Sequence, residues 1–576
     1  MHHQTEAFPG SALDLRPDVI EPPRRAATPA QRMVRWALIA YSVLMLVGIA
    51  LAIGLWPTSL ASRETPIPEN AFYVLFTLHE PAGCALQLLG LAFLWWAQRR
   101  EWRVTSWARR HAIALLVGLT LVVTSIGTSA VYHRYALSLD EYCAEFQAEI
   151  FSEGKIAAPI PTKWQPIVGW LKPGFIVHDR ENQTWMGPYL PVYAAMRAVF
   201  RLAGDSWMLN PVLSALSVLG IAAVARRLWP QSSAAPWLAA AFLVSSPQFL
   251  ITGMSAYAMQ AHLALNLAWL WLYTRQDRIG MLLAPLIGLA AVGLHQPNVH
   301  LLFALPFGVR LLWQRRWGWA AYYALAYIAA LALWLAWWRW VRPDAMADST
   351  GMMKLPKLIQ LLNQPMSLVV LFSWQSLAAG VLVLLALRRW KTLPPLVRDL
   401  AWGCALTFAF HIGFDSTQGH GWGYRYCHSV LGSFMLLAVA GMEPLRQAWG
   451  ERRAHIFAGA SALLSLLVLC PLRALQAESI IRPFADADAA LRQAEAAALL
   501  ITPGAVWYGS DFVRNDPFLH ERPLRVVRLR LPIEVLQWLR TEGSVADLTP
   551  EQLSRFGLIP RQTHAKPKPH DPDPMP

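Results

Sequence analysis

Residues 112–151 read AIALLVGLTLVVTSIGTSAVYHRYALSLDEYCAEFQAEIF. The first half is an apolar run of the length that crosses a bilayer, roughly 20 residues. The second half opens on two adjacent carboxylates, Asp140 and Glu141. Ser138 stands three residues before Glu141, the spacing of a helix N-cap and its capping box. Tyr142, Phe146 and Ile150 then share one helical face. A span therefore delivers an Asp-Glu pair to the first turn of an amphipathic helix at the membrane surface. Taken locally, the pair also fits a solvated helix start, where carboxylates favour the helix dipole.

The same apolar pattern recurs on both sides of this stretch. Of the 576 residues 55% are hydrophobic and 15% charged, too few charges for a soluble protein of this length. Apolar blocks place spans at 33–55, 74–97, 112–133, 209–228, 234–252, 256–274, 279–294, 297–313, 318–340, 367–388, 399–414, 427–445 and 455–474. The fold class is an all-α transmembrane bundle of about 13 helices. The second span is interrupted by His79-Glu80-Pro81, so 66–80 also reads as a segment lying along the interface.

The net charge of +14 invites a nucleic-acid reading, which the distribution of charge rejects. Arg99-Arg100, Arg109-Arg110, Arg226-Arg227, Arg275 with Arg278, Arg315-Arg316, Arg388-Arg389 with Lys391, and Arg452-Arg453 all fall between spans on one side. By the positive-inside rule that side is cytoplasmic, and the N-terminus lies there. Trp95-Trp96, Trp229, Trp317 and Trp390 sit at block ends, where interfacial belts want them. The expected location is the inner membrane of a bacterium, with the C-terminus in the periplasm.

The domain plan follows. Residues 1–32 form a cytoplasmic tail, 33–111 two additional spans, and 112–474 the core with an outer loop at 134–208. Residues 475–560 form a small extracytoplasmic α/β unit, with a helix at 483–500, strands at 505–508 and 524–529, and a helix at 532–541. A Pro-rich end, 561–576, follows as a disordered tail. The five cysteines form no CxxC, so they indicate neither a zinc site nor a disulfide framework. Asn182-Gln183-Thr184 fits a glycosylation sequon, a triplet common by chance. Val513 to Phe518 reads as a polar turn before Pro517 or as a segment closing over the site.

Beyond the acidic helix come Trp185-Met186-Gly187-Pro188-Tyr189-Leu190-Pro191-Val192-Tyr193, then Arg197 to Gly204, then Asn210-Pro211 at the next span. Ser245-Ser246-Pro247 with Ser255 and Tyr257 marks a further outer turn. Gln418-Gly419-His420-Gly421-Trp422-Gly423-Tyr424-Arg425-Tyr426 forms a Gly-rich outer loop. In this order, over roughly 112–445, the chain resembles the GT-C class of membrane glycosyltransferases. That class includes protein O-mannosyltransferases and enzymes that add aminoarabinose to lipid A. The sequence departs at Gly293-Leu294-His295-Gln296-Pro297-Asn298-Val299-His300, where related bacterial members often carry Arg-Pro, and in the two spans before the core.

The resemblance implies transfer of a sugar from a polyprenyl-phosphate donor to a lipid, glycan or protein acceptor at the outer face. Transfer needs a base for the acceptor proton and positive charge at the departing phosphate. Asp140 is the expected base, and Glu141 a partner that orients the acceptor or shares the role. Arg425 is the expected phosphate ligand, because a guanidinium grips phosphate bidentately. Lys155, Arg134 and His420 are further phosphate candidates. His262, His295, His300 and Tyr189 are other candidates for the cavity wall, although any single histidine there also reads as a satisfied interior residue. Their spacing matches no metal motif, so no cofactor is expected. A lipid-linked polysaccharide polymerase or ligase shares this chemistry. A transporter or flippase would concentrate its charges near mid-span.

Overall fold

The computed structural model describes residues 27–56, 71–100, 106–341, 358–412, 418–504 and 506–558. The N-terminal tail and the Pro-rich end lie outside the described residues. Each of the thirteen expected spans overlaps a helix, though several are broken or short, and residues 413–414 of the expected 399–414 lie outside the described residues. Pro29–Trp56 (α1), Ala71–Ala97 (α2) and Ser106–Ala130 (α3) come first, and Leu139–Ser152 (α4) carries the acidic pair. After Val168–Leu171 (α5) and Val192–Leu202 (α6) follow Leu209–Leu228 (α7), Ala235–Val244 (α8) and Pro247–Met254 (α9). Met259–Arg275 (α10), Arg278–Val292 (α11), Pro297–Trp313 (α12) and Trp317–Val341 (α13) make a run of hairpins. Leu358–Ser373 (α14), Ala379–Arg388 (α15), Pro395–Ile412 (α16), Leu431–Ala440 (α17), Met442–Trp449 (α18), Glu451–Leu464 (α19) and Cys470–Arg492 (α20) complete the bundle.

Among the described residues, seven helices are long and apolar enough to cross a membrane, or eight if α8 and α9, bent by 61°, count as one span. The shorter expected spans explain the difference from thirteen. Helix α11 has 15 residues and α12 has 17. At 1.5 Å per residue these are shorter than the roughly 30 Å hydrocarbon core. The expected span 367–388 is two helices, α14 and α15, separated at Trp374–Ala378. Large apolar side chains stand outward on the long helices, as with Ile39, Ile53, Leu325 and Ile328, each more than 60% exposed. A surface of that kind is stable against lipid, not water.

His79-Glu80-Pro81 does not interrupt α2, which runs through Pro81 without a break. Glu80 is satisfied inside the bundle. Its carboxylate accepts from Arg473 Nη2 of α20 at 2.9 Å, from the Ser373 hydroxyl at 2.5 Å and from the Trp374 indole at 2.7 Å. The Arg473 guanidinium lies 4.4 Å over the Trp374 ring and also donates to the His79 carbonyl at 3.1 Å. Gly83 makes room for it, since a Cβ there would meet Arg473 Nη2 at 1.9 Å. This cluster locks α2, the α14–α15 break and α20 together.

At the end of the bundle that bears α4, irregular chain forms a cap. Ala158–Pro159 (β1), Val177–Asp179 (β2) and Thr184–Met186 (β3) make an antiparallel sheet in the order β1-β3-β2. Helix α20 continues out of the bundle to Arg492, absorbing the start of the expected 483–500 helix. Ala498–Ile501 (β4), Leu524–Val527 (β5) and Val545–Leu548 (β6) then form a parallel sheet ordered β5-β4-β6. The stretch expected as a strand at 505–508 instead turns, with Tyr508 at φ 54° leading into a short 3-10 helix, Gly509–Phe512. Ile533–Glu542 (α21) closes the unit. Phe146 and Ile150 of α4, Trp185 of β3 and Leu500, Leu524 and Val526 of the terminal sheet share one core. Arg525 pairs with Asp488 of α20, and Tyr142 donates to the Asn515 carbonyl at 2.5 Å.

The buried Glu80–Arg473 pair generates a stability prediction. Removing one partner strands a charge in the bundle, a cost of about 3–5 kcal/mol. Arg473→Met is expected to lower the unfolding temperature of the purified protein sharply. Adding Glu80→Met in the same chain is expected to recover most of the loss, read by thermal unfolding in detergent. Equal loss in the single and double variants counts against the pair as the cause.

Candidate active site

Local sequence builds the first turn of α4. The Ser138 hydroxyl accepts from the Glu141 N–H at 3.3 Å, while Glu141 Oε2 accepts from the Ser138 N–H at 3.1 Å, so both halves of the capping box are present. Glu141 Oε1 accepts from the Ala256 N–H at 3.0 Å. That turn is held by α7, whose Asn210 amide donates to the Ser255 and Tyr257 carbonyls at 2.7 and 2.9 Å. Tyr193 of α6 donates to the Ala256 carbonyl at 2.9 Å, and buried Arg197 donates to the Tyr193 hydroxyl at 3.2 Å and pairs with Glu145 of α4. Both carboxylate oxygens of Glu141 are thus engaged by the chain itself. Burial pushes its carboxyl up to about 7 against the lowering effect of these hydrogen bonds. Its place in the structure is a brace between α4 and the 255–257 turn.

Asp140, one residue earlier on the helix, faces a different neighbourhood. Its Oδ1 accepts from the Tyr189 hydroxyl, and its Oδ2 accepts from Arg425 Nη1 at 2.9 Å. Burial opposes its ionisation, but Arg425, His295 and the Tyr189 hydrogen bond outweigh burial and hold the carboxyl below its ordinary value. Arg425 lies between the Tyr257 and Tyr426 rings, 5.3 and 5.6 Å from their centroids. Its N–H donates to Gln418 Oε1 at 2.9 Å, and Gln418 Nε2 donates to the Gly423 carbonyl at 2.8 Å. A Cβ at Gly421 would meet Arg425 Cδ at 2.8 Å, and Gly423 sits at φ 66°, so the glycines are needed for this compact loop. Arg425 Nε is buried with no hydrogen-bond partner among the described residues. The cavity beside Asp140 measures about 20 Å³, enough for a water molecule, and is lined by Tyr189, Tyr193, Tyr257, Leu294 and His295.

The remaining candidates separate clearly. His295 stacks on Tyr189 with ring centroids 3.9 Å apart and belongs to the site. His420 packs against Tyr508 and Trp507 of the terminal unit, 4.3 and 5.3 Å away, and among the described residues both its ring nitrogens are buried without a partner. Burial pushes it down to about 3, so it is neutral. His262 is likewise buried with both nitrogens unpartnered among the described residues, within electrostatic reach of His295, His300 and His428. His300 is a satisfied interior residue, bonded to Asn266 Oδ1 at 2.7 Å and the Tyr327 hydroxyl at 2.8 Å. Lys155 is exposed, with its ammonium 4.7 Å over Phe518 of the terminal unit, and Arg134 pairs with Asp205. The structure does not bring Lys155 or Arg134 to Asp140. Each reaches a nearer partner that sequence spacing does not reveal. Among the described residues no three His, Cys, Asp or Glu side chains are grouped to hold a metal ion.

Two neighbours of the site come from the far end of the chain. Asp511, buried in the Gly509–Phe512 turn, lies within electrostatic reach of Asp140, and burial pushes its carboxyl up to about 6. Arg514 packs its guanidinium 4.3 Å over Tyr135 and 5.4 Å over Tyr142, on the flank of α4. The segment 513–518 is packed against the outer loop and the terminal sheet. Asn515 binds the Leu171 carbonyl at 2.7 Å, and the Trp185 indole donates to the Pro517 carbonyl at 2.7 Å. The polar run at 513–516 was the only signal, and it carries no information about which distant surface it meets.

No family model and no curated protein matches the chain. Solved structures similar to it include two of one protein. ArnT from Cupriavidus metallidurans bound to undecaprenyl phosphate is 15% identical, with a TM-score of 0.45 over 76% of this chain and 89% of that one. The same protein in its apo state is 15% identical, with a TM-score of 0.44 over 70% of this chain and 84% of that one.

Glu141 provides a test of the brace. Gln in its place keeps one acceptor oxygen for donors from Ser138 and Ala256, a loss of about 1–3 kcal/mol. Its raised folded value also fixes a sign. The stability Glu141 contributes is full at low pH and is lost as pH rises from about 4.5 to about 7. Glu141→Gln is expected to unfold at lower temperature and to flatten that decline. An unchanged pH profile would show that Glu141 does not titrate in this window.

Proposed function

We propose that the chain is a membrane glycosyltransferase that moves a sugar from a polyprenyl-phosphate donor to an acceptor hydroxyl, with Asp140 as general base. The observation that carries the reading is the meeting of Asp140 and Arg425, from segments far apart in sequence, beside a cavity at one end of an apolar bundle. The charges of this pair match the two demands of the reaction. The acceptor oxygen attacks the anomeric carbon and its proton passes to Asp140. The bond from that carbon to the phosphate oxygen breaks, and the polyprenyl phosphate leaves with growing negative charge, which Arg425 stabilises.

In the pair as it stands, both Asp140 oxygens are occupied. A donor phosphate competes for Arg425 and frees Oδ2 to accept a proton. Loss of the guanidinium also raises the basicity of Asp140, so the base becomes active only when donor is bound. Tyr189, backed by His295, holds Oδ1 throughout. The small cavity requires that the loop, the Tyr189 segment or the terminal unit open to admit the sugar. No metal ion takes part in this scheme, and EDTA-washed membranes are expected to retain transfer.

The basic helix ends lie opposite the Asp140 end, which supports a periplasmic active site, a cytoplasmic N-terminus and residence in a bacterial inner membrane. The terminal unit then lies in the periplasm over the acceptor's approach. Cysteine at exposed Ile156 is expected to react with a membrane-impermeant thiol reagent in whole cells, and cysteine at Gln231 to be protected. The reverse pattern would place the donor on the other face.

Asp140→Asn is expected to reduce transfer by about 10²–10⁴-fold at normal protein level. It removes the internal competitor for Arg425, so it is also expected to bind undecaprenyl phosphate more tightly than wild type. Arg425→Ala is expected to lose binding and transfer, and Arg425→Lys to retain part of both, since it keeps the charge without the planar fork. Weaker lipid binding by Asp140→Asn than by wild type would rule out the competition.

A further inference from the structure

A partly open cavity of about 250 Å³ lies at the opposite end of the bundle from Asp140, against about 20 Å³ beside Asp140. Arg389 at the end of α15, Arg446 of α18 and His455 of α19 converge on it, with Ser232, Trp229 and the acid Glu443. Glu443 is committed to Arg446 at 2.5 Å and to Gln447 at 2.9 Å. Arg389 donates to neutral Gln447 Oε1 at 3.2 Å and lies within electrostatic reach of Glu443, so two arginines face one acid here. The Ser232 hydroxyl accepts from the Ala235 N–H at 3.2 Å, which leaves its proton to donate. The far wall is apolar, formed by Leu238, Val439 and Met442.

The cavity does not end there. Arg389 and Thr392 also line an open groove on the lipid-facing side, with Trp36, Leu384, Leu387, Arg388 and Lys391. The Arg388 guanidinium lies 5.7 Å over the Trp36 ring, a pairing typical of the membrane interface. A polar, positively charged chamber therefore continues into an apolar, open channel along α1 and α15. The two parts have the two halves of one kind of ligand. A phosphodiester headgroup suits the chamber, and acyl chains suit the groove.

We propose that this chamber and groove bind an anionic phospholipid, with its phosphate held by Arg389, Ser232 and His455 and its chains lying along Leu384 and Leu387. Basic pockets between helices at a membrane surface take such headgroups. A free phosphate shares the headgroup chemistry but would leave the groove unused. The site lies at the other end of the bundle from Asp140, and it stands independently of the reaction proposed there.

The test uses the purified full-length protein, delipidated in a neutral detergent. Binding of phosphatidylglycerol and of phosphatidylcholine with matched chains is compared by native mass spectrometry. Wild type is expected to prefer phosphatidylglycerol by on the order of tenfold, as the excess of one cation in the chamber, Arg389 and Arg446 against Glu443, implies. The double variant Arg389→Gln/Arg446→Gln is expected to lose that preference. Ser232→Phe, which fills the chamber and keeps both arginines, is expected to lose it as well. Arg278→Gln, an exposed basic residue outside the cavity, is expected to behave as wild type. Equal binding of the two lipids by wild type overturns the proposal. A preference that survives both the double variant and Ser232→Phe also overturns it, as generic attraction to a basic surface. Displacement of bound phosphatidylglycerol by millimolar inorganic phosphate overturns the lipid assignment in favour of a soluble phosphate.

Discussion

The Asp140–Arg425 ion pair joins positions 285 residues apart, and the cap of this protein is arranged around it. Each partner is fixed by a separate local device. Asp140 is aimed by a helix whose first turn is capped by Ser138 and braced by Glu141. Arg425 is aimed by a glycine loop closed on itself through Gln418 and wedged between two tyrosines. The 255–257 turn touches both devices, giving its Ala256 N–H to Glu141 and its Tyr257 ring to Arg425. A shift of that turn therefore moves the carboxylate and the guanidinium together. Tyr193 and Asn210 reinforce it from two further helices.

A second buried pair, Glu80–Arg473, shows what a purely architectural ion pair looks like in the same chain. Its carboxylate is bonded on both oxygens by three donors, from α20, the end of α14 and the α14–α15 break, and its guanidinium is stacked on an indole. Burying two charges costs more than their attraction returns unless every remaining lone pair and proton is satisfied. In both pairs the arginine Nε is buried without a partner among the described residues, so the difference lies at the carboxylate. Asp140 accepts from two donors, and a cavity opens beside it. Polar capacity left open next to a space is what a ligand is needed to complete, and this contrast separates a site from a brace.

Sequence carried the features that local chemistry determines. The cap at Ser138, the single face of Tyr142, Phe146 and Ile150, and the compact glycine loop at Arg425 all depend on residues within a turn or two of one another. Features set by distant partners were not legible. Glu80 looked like a break in α2 because its partner, Arg473, is 393 positions away. Lys155 looked like a phosphate ligand because nothing nearby in sequence points to Phe518. The strand expected at 505–508 has β-prone residues, but Pro503-Gly504 and the left-handed Tyr508 turn the chain there, and Ala498–Ile501 takes the central place in the sheet. The bounds of single helices such as 297–313 were legible, but the breaks that divide 234–252 and 367–388 into two helices were not. Hydropathy marks apolar stretches but does not register where a packed bundle lets a helix bend or stop short.

The terminal unit has a structural reason to belong to the site. Phe146, Ile150 and Trp185 form an apolar face on the side of α4 turned away from the bundle, and Leu500, Leu524 and Val526 cover it. Without that cover α4 would present aromatic surface to water, and its axis would rest on its capped first turn, the Glu145–Arg197 and Glu149–Arg201 pairs and the Gln147 hydrogen bonds. Tyr142 and Trp185 both bond backbone carbonyls of the 515–517 segment, which fixes the cover in register with the helix. The same segment brings Asp511 and Arg514 toward Asp140, so the element that stabilises the helix also sets the electrostatic environment of its carboxylate. The unit is anchored to α20 through Asp488 and Arg525, and α20 is anchored in the bundle through Arg473. Two buried ion pairs on α20 thus tie the bundle at one point and, at another, the terminal unit that covers the flank of α4, the helix that carries Asp140.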